Sequence, residues 1–148
     1  MITVRTATYD DACSLAPRLR AADRREIVAL SGVTPLTALV ASLGRSAEAR
    51  SILVNDTVHA MYGHAPDPLG RAAMVWALGT DHLLKHRLVL IKEMKRYLDE
   101  VQSRYGRLVN VVDEENEDAI KLLRRLNFNF GVPILSVGGG RAMSFWRS

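Results

Sequence analysis

Seven apolar positions in the second half of the chain constrain what it can fold into. Leu84, Leu88, Ile91, Met94, Leu98, Val101 and Tyr105 recur at steps of three and four, the spacing that lines one face of an α-helix. Thr80 or Asp81 can cap its start and Gly106 ends it. Lys95 with Asp99, and Arg96 with Glu100, stand one turn apart on the polar side. The spacing predicts a helix from Asp81 to Tyr105, a rod of about 37 Å at ~1.5 Å per residue. A rod of that length spans a whole domain, so the rest of the chain must supply a surface for it.

The flanking segments read as that surface. Ser51 to Val54, Val58 to Ala65 and Ala72 to Leu78 are predicted strands. Asn55-Asp56 and Pro66-Asp67-Pro68-Leu69-Gly70 between them are too short for a crossover helix, so the three strands are antiparallel. Leu108 to Val112 follows the long helix as a buried strand and can run parallel to Ala72–Leu78. Ahead of these lie a strand at Ile2–Ala7 and a helix opened by the capping box of Thr8 and Asp11. Pro17 breaks that helix, and a second stretch with Leu19, Ala22, Ile27 and Leu30 inward ends at Gly32. A third helix begins at Thr34-Pro35 and closes at Gly44. Asn116 caps a helix through Leu126, with Asn127 as its left-handed closing residue. Phe128–Ser136 and Arg141–Trp146 form a last hairpin across Gly138-Gly139-Gly140, read as a flexible tip. The class is α+β in one domain over residues 1–148, with a mixed sheet of about seven strands, an antiparallel N-terminal part, a long central helix and a C-terminal hairpin.

Composition narrows the functions. No apolar run approaches the ~20 residues that span a bilayer, and Met1-Ile2-Thr3-Val4-Arg5 is no charged-then-apolar leader, so no membrane and a cytoplasmic setting are expected. Cys13 is the single cysteine; it cannot pair internally and reads as a small buried hydrophobe. Net charge is +4, but acidic residues interleave the basic ones, so no nucleic-acid partner is expected. His82 and His86 stand one turn apart, yet Lys85 and Arg87 beside them repel a cation, so no metal is expected. Arg18, Arg20, Arg24 and Arg25, diluted by Asp23 and Glu26, read as a solvated helix.

The order of elements resembles the GNAT N-acetyltransferase fold. Two stretches carry the resemblance: Val4-Arg5-Thr6-Ala7-Thr8-Tyr9-Asp10-Asp11-Ala12, like the family's first strand and capped helix, and Asn116, Ala119, Ile120, Leu126 and Phe128, like its C-terminal motif. A narrower set, Arg18–Asp23, Ala65–Gly70, Leu78–Asp81 and Leu126–Gly131, is similar to small GNAT-like proteins of short-tailed bacteriophages related to an internal-core assembly protein. The resemblance implies acetyl-CoA or another acyl-CoA as cofactor and a small-molecule or protein amine as acceptor. The narrower one implies phage structural or host proteins as partners, in the host cytoplasm or the virion, and leaves open a non-catalytic role in morphogenesis.

The departures from the family are specific. Its diphosphate loop reads Arg or Gln, two residues, Gly, one residue, Gly or Ala. Here the segment is Gly79-Thr80-Asp81-His82-Leu83-Leu84-Lys85-His86-Arg87, in which Gly79 lies too early and Asp81 adds negative charge. The cofactor candidates are therefore Leu78, Gly79, Thr80, Lys85, His86, Arg87 and Asn116, with side-chain charge replacing amides or forming a solvated helix face. The acyl carbonyl would meet a backbone amide of the fourth strand, at Ala77 or Leu78. The family's proton-donating tyrosine is Leu123, which cannot donate. No catalytic residue is fixed; Glu115, His64 and Tyr62 are the candidates.

Overall fold

The computed structural model describes residues 1–148. Eight strands form one sheet in the order β1-β2-β3-β4-β5-β8-β6, with β7 also on β8. They are β1 Ile2–Thr6, β2 Glu48–Val54, β3 Thr57–Pro66, β4 Ala73–Gly79, β5 Leu108–Asp113, β6 Asn129–Phe130, β7 Ile134–Leu135 and β8 Arg141–Arg147. The helices are α1 Tyr9–Leu15, α2 Ala21–Ser31, α3 Pro35–Arg45, α4 Arg87–Tyr105 and α5 Glu117–Arg125. As the sequence requires, β2, β3 and β4 are antiparallel and β4 meets β5 in parallel. No single helix is long and apolar enough to cross a membrane.

Strand alternation divides the core. On one face Met61 packs with Ala12, Leu15 and Leu39 under α1 and α3. On the other, Tyr62 and Val75 pack with Tyr97, Leu98 and Val101 of α4 and with Leu126.

The capping box of α1 also fastens two strands. Thr8 and Asp11 exchange backbone and side-chain bonds. The Asp11 carboxylate further accepts from the Arg5 guanidinium of β1 at 2.6 Å and from Ser51 Oγ of β2 at 2.8 Å. Burial pushes its pKa up, but the bonds from Arg5, Ser51 and Thr8 win and hold it down to about 2.

Four expectations are corrected. The long helix is not α-helical from its start: residues Asp81–His86 wind as a 3-10 helix. Its tighter turn, about 20° more per residue, rotates the apolar stripe by roughly a third of a circle over six residues. Leu84 is therefore 55% exposed; Leu88, already in α4 but at the side of its buried face, is 83% exposed, while Leu83 and Leu90 pack inward with Ile91 and Met94. On the polar side Arg96 pairs with Glu93, and Asp99 with Arg147. Second, α3 runs through Gly44 to Arg45. Third, Cys13 is exposed. Fourth, the last hairpin is split into β6 and β7, and its glycine tip is docked rather than free. Ser136 Oγ donates to Ala29 O at 2.6 Å, Gly140 N donates to the same carbonyl at 2.9 Å, and a Cβ on Gly138 would collide with Val28 O. Asn127 does close α5 in the left-handed region, at φ 68°.

Asp11→Ala should cost about 1–2 kcal/mol in urea unfolding, as loss of a cap does, and more where the Ser51 and Arg5 donors are left unpaired. Because the folded pKa of Asp11 is lowered, its contribution is present above its ordinary pKa of 3.8 and lost as pH falls toward about 2. The stability gap between wild type and Asp11→Asn should narrow over that window.

Candidate functional site

The feature that makes a site is where β4 and β5 part. They pair only at Ala73↔Leu108 and Met74↔Val109. Beyond that β4 stays on β3 and β5 stays on β8. Asn110 stands at the fork: its Nδ2 donates to Val75 O at 2.6 Å and its Oδ1 accepts from Val111 N at 2.8 Å. Past it a cavity of about 470 Å³ runs through the sheet. Ile27, Leu30 and Ala38 of α2 and α3 line one side, and Met94 of α4 with Leu122 and Leu123 of α5 line the other. A depression of about 650 Å³ at the β1–β2 edge is larger, but its charges are paired, Arg50 with Glu48 and Arg96 with Glu93.

Backbone direction inside the fork follows from the pleat. Ala73 N donates to Arg107 O, on the β5 side, while Thr80 N donates to His59 O of β3. With period two, Val75, Ala77 and Gly79 point their amides toward β5, and Leu78 points its amide at β3. Gly79 N is taken by Asp23 Oδ2 at 3.1 Å. Ala77 lies beyond the last rung, so its N–H faces the cavity without a strand partner. An amide donor in an apolar slot suits a carbonyl oxygen that gains negative charge.

Two acids of α2 close the fork from above. Asp23 takes the end of β4 as described. One turn on, Glu26 Oε1 accepts from Asp113 N of β5 at 2.9 Å and from Asn116 Nδ2 at 3.3 Å. Glu26 lines the cavity. Burial pushes its pKa from 4.5 up to about 7, with Asp23 adding to the rise, against the bonds from Asp113 and Asn116. Burial also raises Asp23. Reading this helix as solvated is thus corrected for both acids. The arginines just ahead of it are engaged too: Arg18 donates to Val58 O, and Arg20 pairs with Asp118 and Asp81.

The sequence-derived candidates fall in three places. Leu78 lines the cavity, and Gly79 and Thr80 end β4 with their amides already bonded within the protein. Asn116 caps α5, accepting from Ala119 N at 3.3 Å, and faces Glu26. Lys85, His86 and Arg87 lie at the 3-10 to α4 junction; His82 sits between His59 and His86, with ring centroids at 4.4 and 5.7 Å. Burial, then the neighbouring His82 and Arg18, lower the pKa of His59. No three His, Cys, Asp or Glu side chains are grouped to hold a metal ion. Tyr62 lines the α4 side of the cavity with a buried hydroxyl that has no partner. His64 is fully buried outside it, bonded through Nδ1 to Tyr97 Oη at 2.6 Å, and burial lowers its pKa. Glu115 is exposed and does not line the cavity. Glu26, which the sequence reading passed over, is the only carboxylate that does.

No protein-family model matches the sequence, and no curated protein matches it. Solved structures do. An N-acetyltransferase from Staphylococcus aureus Mu50 superposes with a TM-score of 0.73 at 15% identity, over 100% of this chain and 98% of that one. A GCN5-related N-acetyltransferase from Kribbella flavida gives 0.69 at 19%, over 99% and 96%. The structure of yncA from Salmonella typhimurium with its cofactor acetyl-CoA gives 0.67 at 15%, over 99% and 93%. At these identities the likeness is one of fold, and the fold is GNAT-like, as the order of elements suggested.

Because the folded pKa of Glu26 is raised, its stabilising contribution is complete below pH 4.5 and lost as pH rises through about 7. Glu26→Gln removes that loss. Its melting temperature should exceed wild type by several degrees at pH ~8, at about 2–4 °C per kcal/mol, and by little at pH ~5. Equal curves at both pH values would show that Glu26 is not held neutral by its surroundings.

Proposed function

We propose that the chain is an acyl-CoA-dependent N-acyltransferase that seats the acyl thioester in the fork between β4 and β5. The observation that carries the reading is the unpaired Ala77 amide facing an apolar cavity at the fork. An acyl-CoA would supply an activated thioester carbonyl there. An amine, small or on a protein, is the acceptor. The cavity is lined from both faces of the sheet, by α2 and α3 on one and α4 and α5 on the other, so donor and acceptor would meet within it.

The two ends of the cofactor fit differently. The thioester end fits the cavity. At the diphosphate end no free amide cradle remains at Gly79 and Thr80. A Cβ on Gly79 would meet His59 O at 3.0 Å and Leu83 Cδ1 at 3.2 Å, so that glycine serves internal packing. Lys85, His86 and Arg87 would therefore hold the phosphates through side-chain charge. None of them is ion-paired within the chain. Asp81 is offset by Arg20 at 3.4 Å, which weakens its repulsion of a phosphate.

A second reading draws on the same occupied amides and on Leu123: a non-catalytic protein of this fold in bacteriophage particle assembly, within the host cytoplasm or the virion. It predicts no acyl-CoA binding.

Melting with acetyl-CoA separates the two. At 100 times its dissociation constant the ligand adds ~2.7 kcal/mol, about 5–10 °C for a chain of this size. Replacing Lys85, His86 and Arg87 together by alanine should weaken acetyl-CoA ~10-fold or more, at up to ~1 kcal/mol per exposed charge contact. The same change should leave acetyl-pantetheine, which has no phosphate, bound as before. Absence of a shift with either ligand would leave the second reading standing.

A further inference from the structure

Acyl transfer to an amine releases a proton, and the fork must offer it a place. The side chains around the cavity narrow the choice. Tyr62 and Tyr97 lie on the α4 side, and burial raises both hydroxyl pKa values. They therefore stay protonated. Leu123 has no proton chemistry. Glu115 and His64 lie outside the cavity. What remains is one carboxylate, on the α2 side. Glu26 Oε1 is anchored by Asp113 N and Asn116 Nδ2, while Oε2 makes no hydrogen bond in the chain. One oxygen fixes the group and the other is free.

We propose that Glu26 is the proton acceptor of the transfer, positioned by Asp113 and Asn116 at the α2 side of the fork. The inference rests on the acyl-transfer reading of the cavity. The amine nitrogen attacks the thioester carbonyl carbon, and the carbon–nitrogen bond forms as the carbonyl electron pair shifts onto oxygen, next to Ala77 N–H. The oxygen pair then re-forms the carbonyl as the carbon–sulfur bond breaks with its pair on sulfur, which leaves as thiolate and takes a proton from solvent. The nitrogen loses one proton to Glu26 Oε2, and water carries it away. Nothing is oxidised or reduced.

The surroundings suit a base that works near neutrality. Asp23 on the same helix and Asp113 on β5 both oppose charge on Glu26, and no cation is paired with it. Arg20 is committed to Asp118 and Asp81. Asn116 is neutral, so it orients the carboxylate without fixing its charge.

The test uses the full chain with acetyl-CoA as donor and hydroxylamine as probe nucleophile. Thiol release is followed across pH about 5.5 to 9 after subtraction of the uncatalysed rate. Wild type should lose rate as pH falls through about 7. Glu26→Gln, which keeps the shape and the Oε1 acceptor, should lose ~100-fold or more in kcat along with that acid limb. Its acetyl-CoA affinity by calorimetry should stay within about 2-fold of wild type, which separates a lost base from a collapsed cleft. A Glu26→Gln enzyme with the wild-type rate and pH profile would overturn the assignment and leave the acyl-transfer reading intact. Wild type that binds acetyl-CoA but releases no thiol above background would overturn transfer and the assignment together. Wild type that does not bind acetyl-CoA would overturn the reading of the cavity itself.

Discussion

The site depends on how two parting strands satisfy their backbone. Separating β4 from β5 after two paired positions leaves amides and carbonyls along both inner edges, and a buried unpaired one costs about as much as a lost hydrogen bond. Side chains take the place of the missing rungs. Asn110 serves Val75 O and Val111 N, Asp23 serves Gly79 N, and Glu26 serves Asp113 N. The fork is thus a completed hydrogen-bond pattern with side chains inserted, not a failed sheet. Ala77 N–H is left over, facing the apolar cavity beyond the last rung.

The same arrangement explains why two acids tolerate burial on one helix turn. Each accepts a backbone amide at the end of a different strand, so α2 is stitched across the fork at both sides. Desolvation is only partly offset, and both pKa values stay raised. What α2 gives up in electrostatic comfort fixes its place over the cavity. The amides of Gly79 and Thr80 at the end of β4 are turned inward to Asp23 and His59.

Much of the fold was legible because it rests on local rules. Thr8 with Asp11, Asn116 with Ala119, and Asn127 at positive φ each follow from cap chemistry within a few residues. The parallel course of β4 and β5 followed from the long helix between them. The phase of the long helix was not legible, because a periodic pattern says nothing about whether its first turns are α or 3-10; Leu84 fits the stripe in sequence and misses it in space. Glu26 was hidden by its neighbours, since Arg24 and Arg25 make the segment look solvated. A signal was present: Glu26 lies four residues from both Ala22 and Leu30, so it interrupts the apolar stripe of α2. An acid on the buried face of a short helix asks for a partner, and the partner, Asp113 N, is far along the chain.

The docked glycine tip ties the last part of the chain to the helix over the cavity. The carbonyl of Ala29 takes Ser136 Oγ and Gly140 N, three residues beyond Glu26 in α2. An element of the chain is thus held by one that leaves the ribosome 107 residues later. A nascent chain that has completed α1 to α4 has the sheet edge and the rod but not the clasp on α2, nor the β5 end that meets Glu26. Such long-range closure slows folding relative to local contacts. It also keeps an incomplete product from carrying an assembled site.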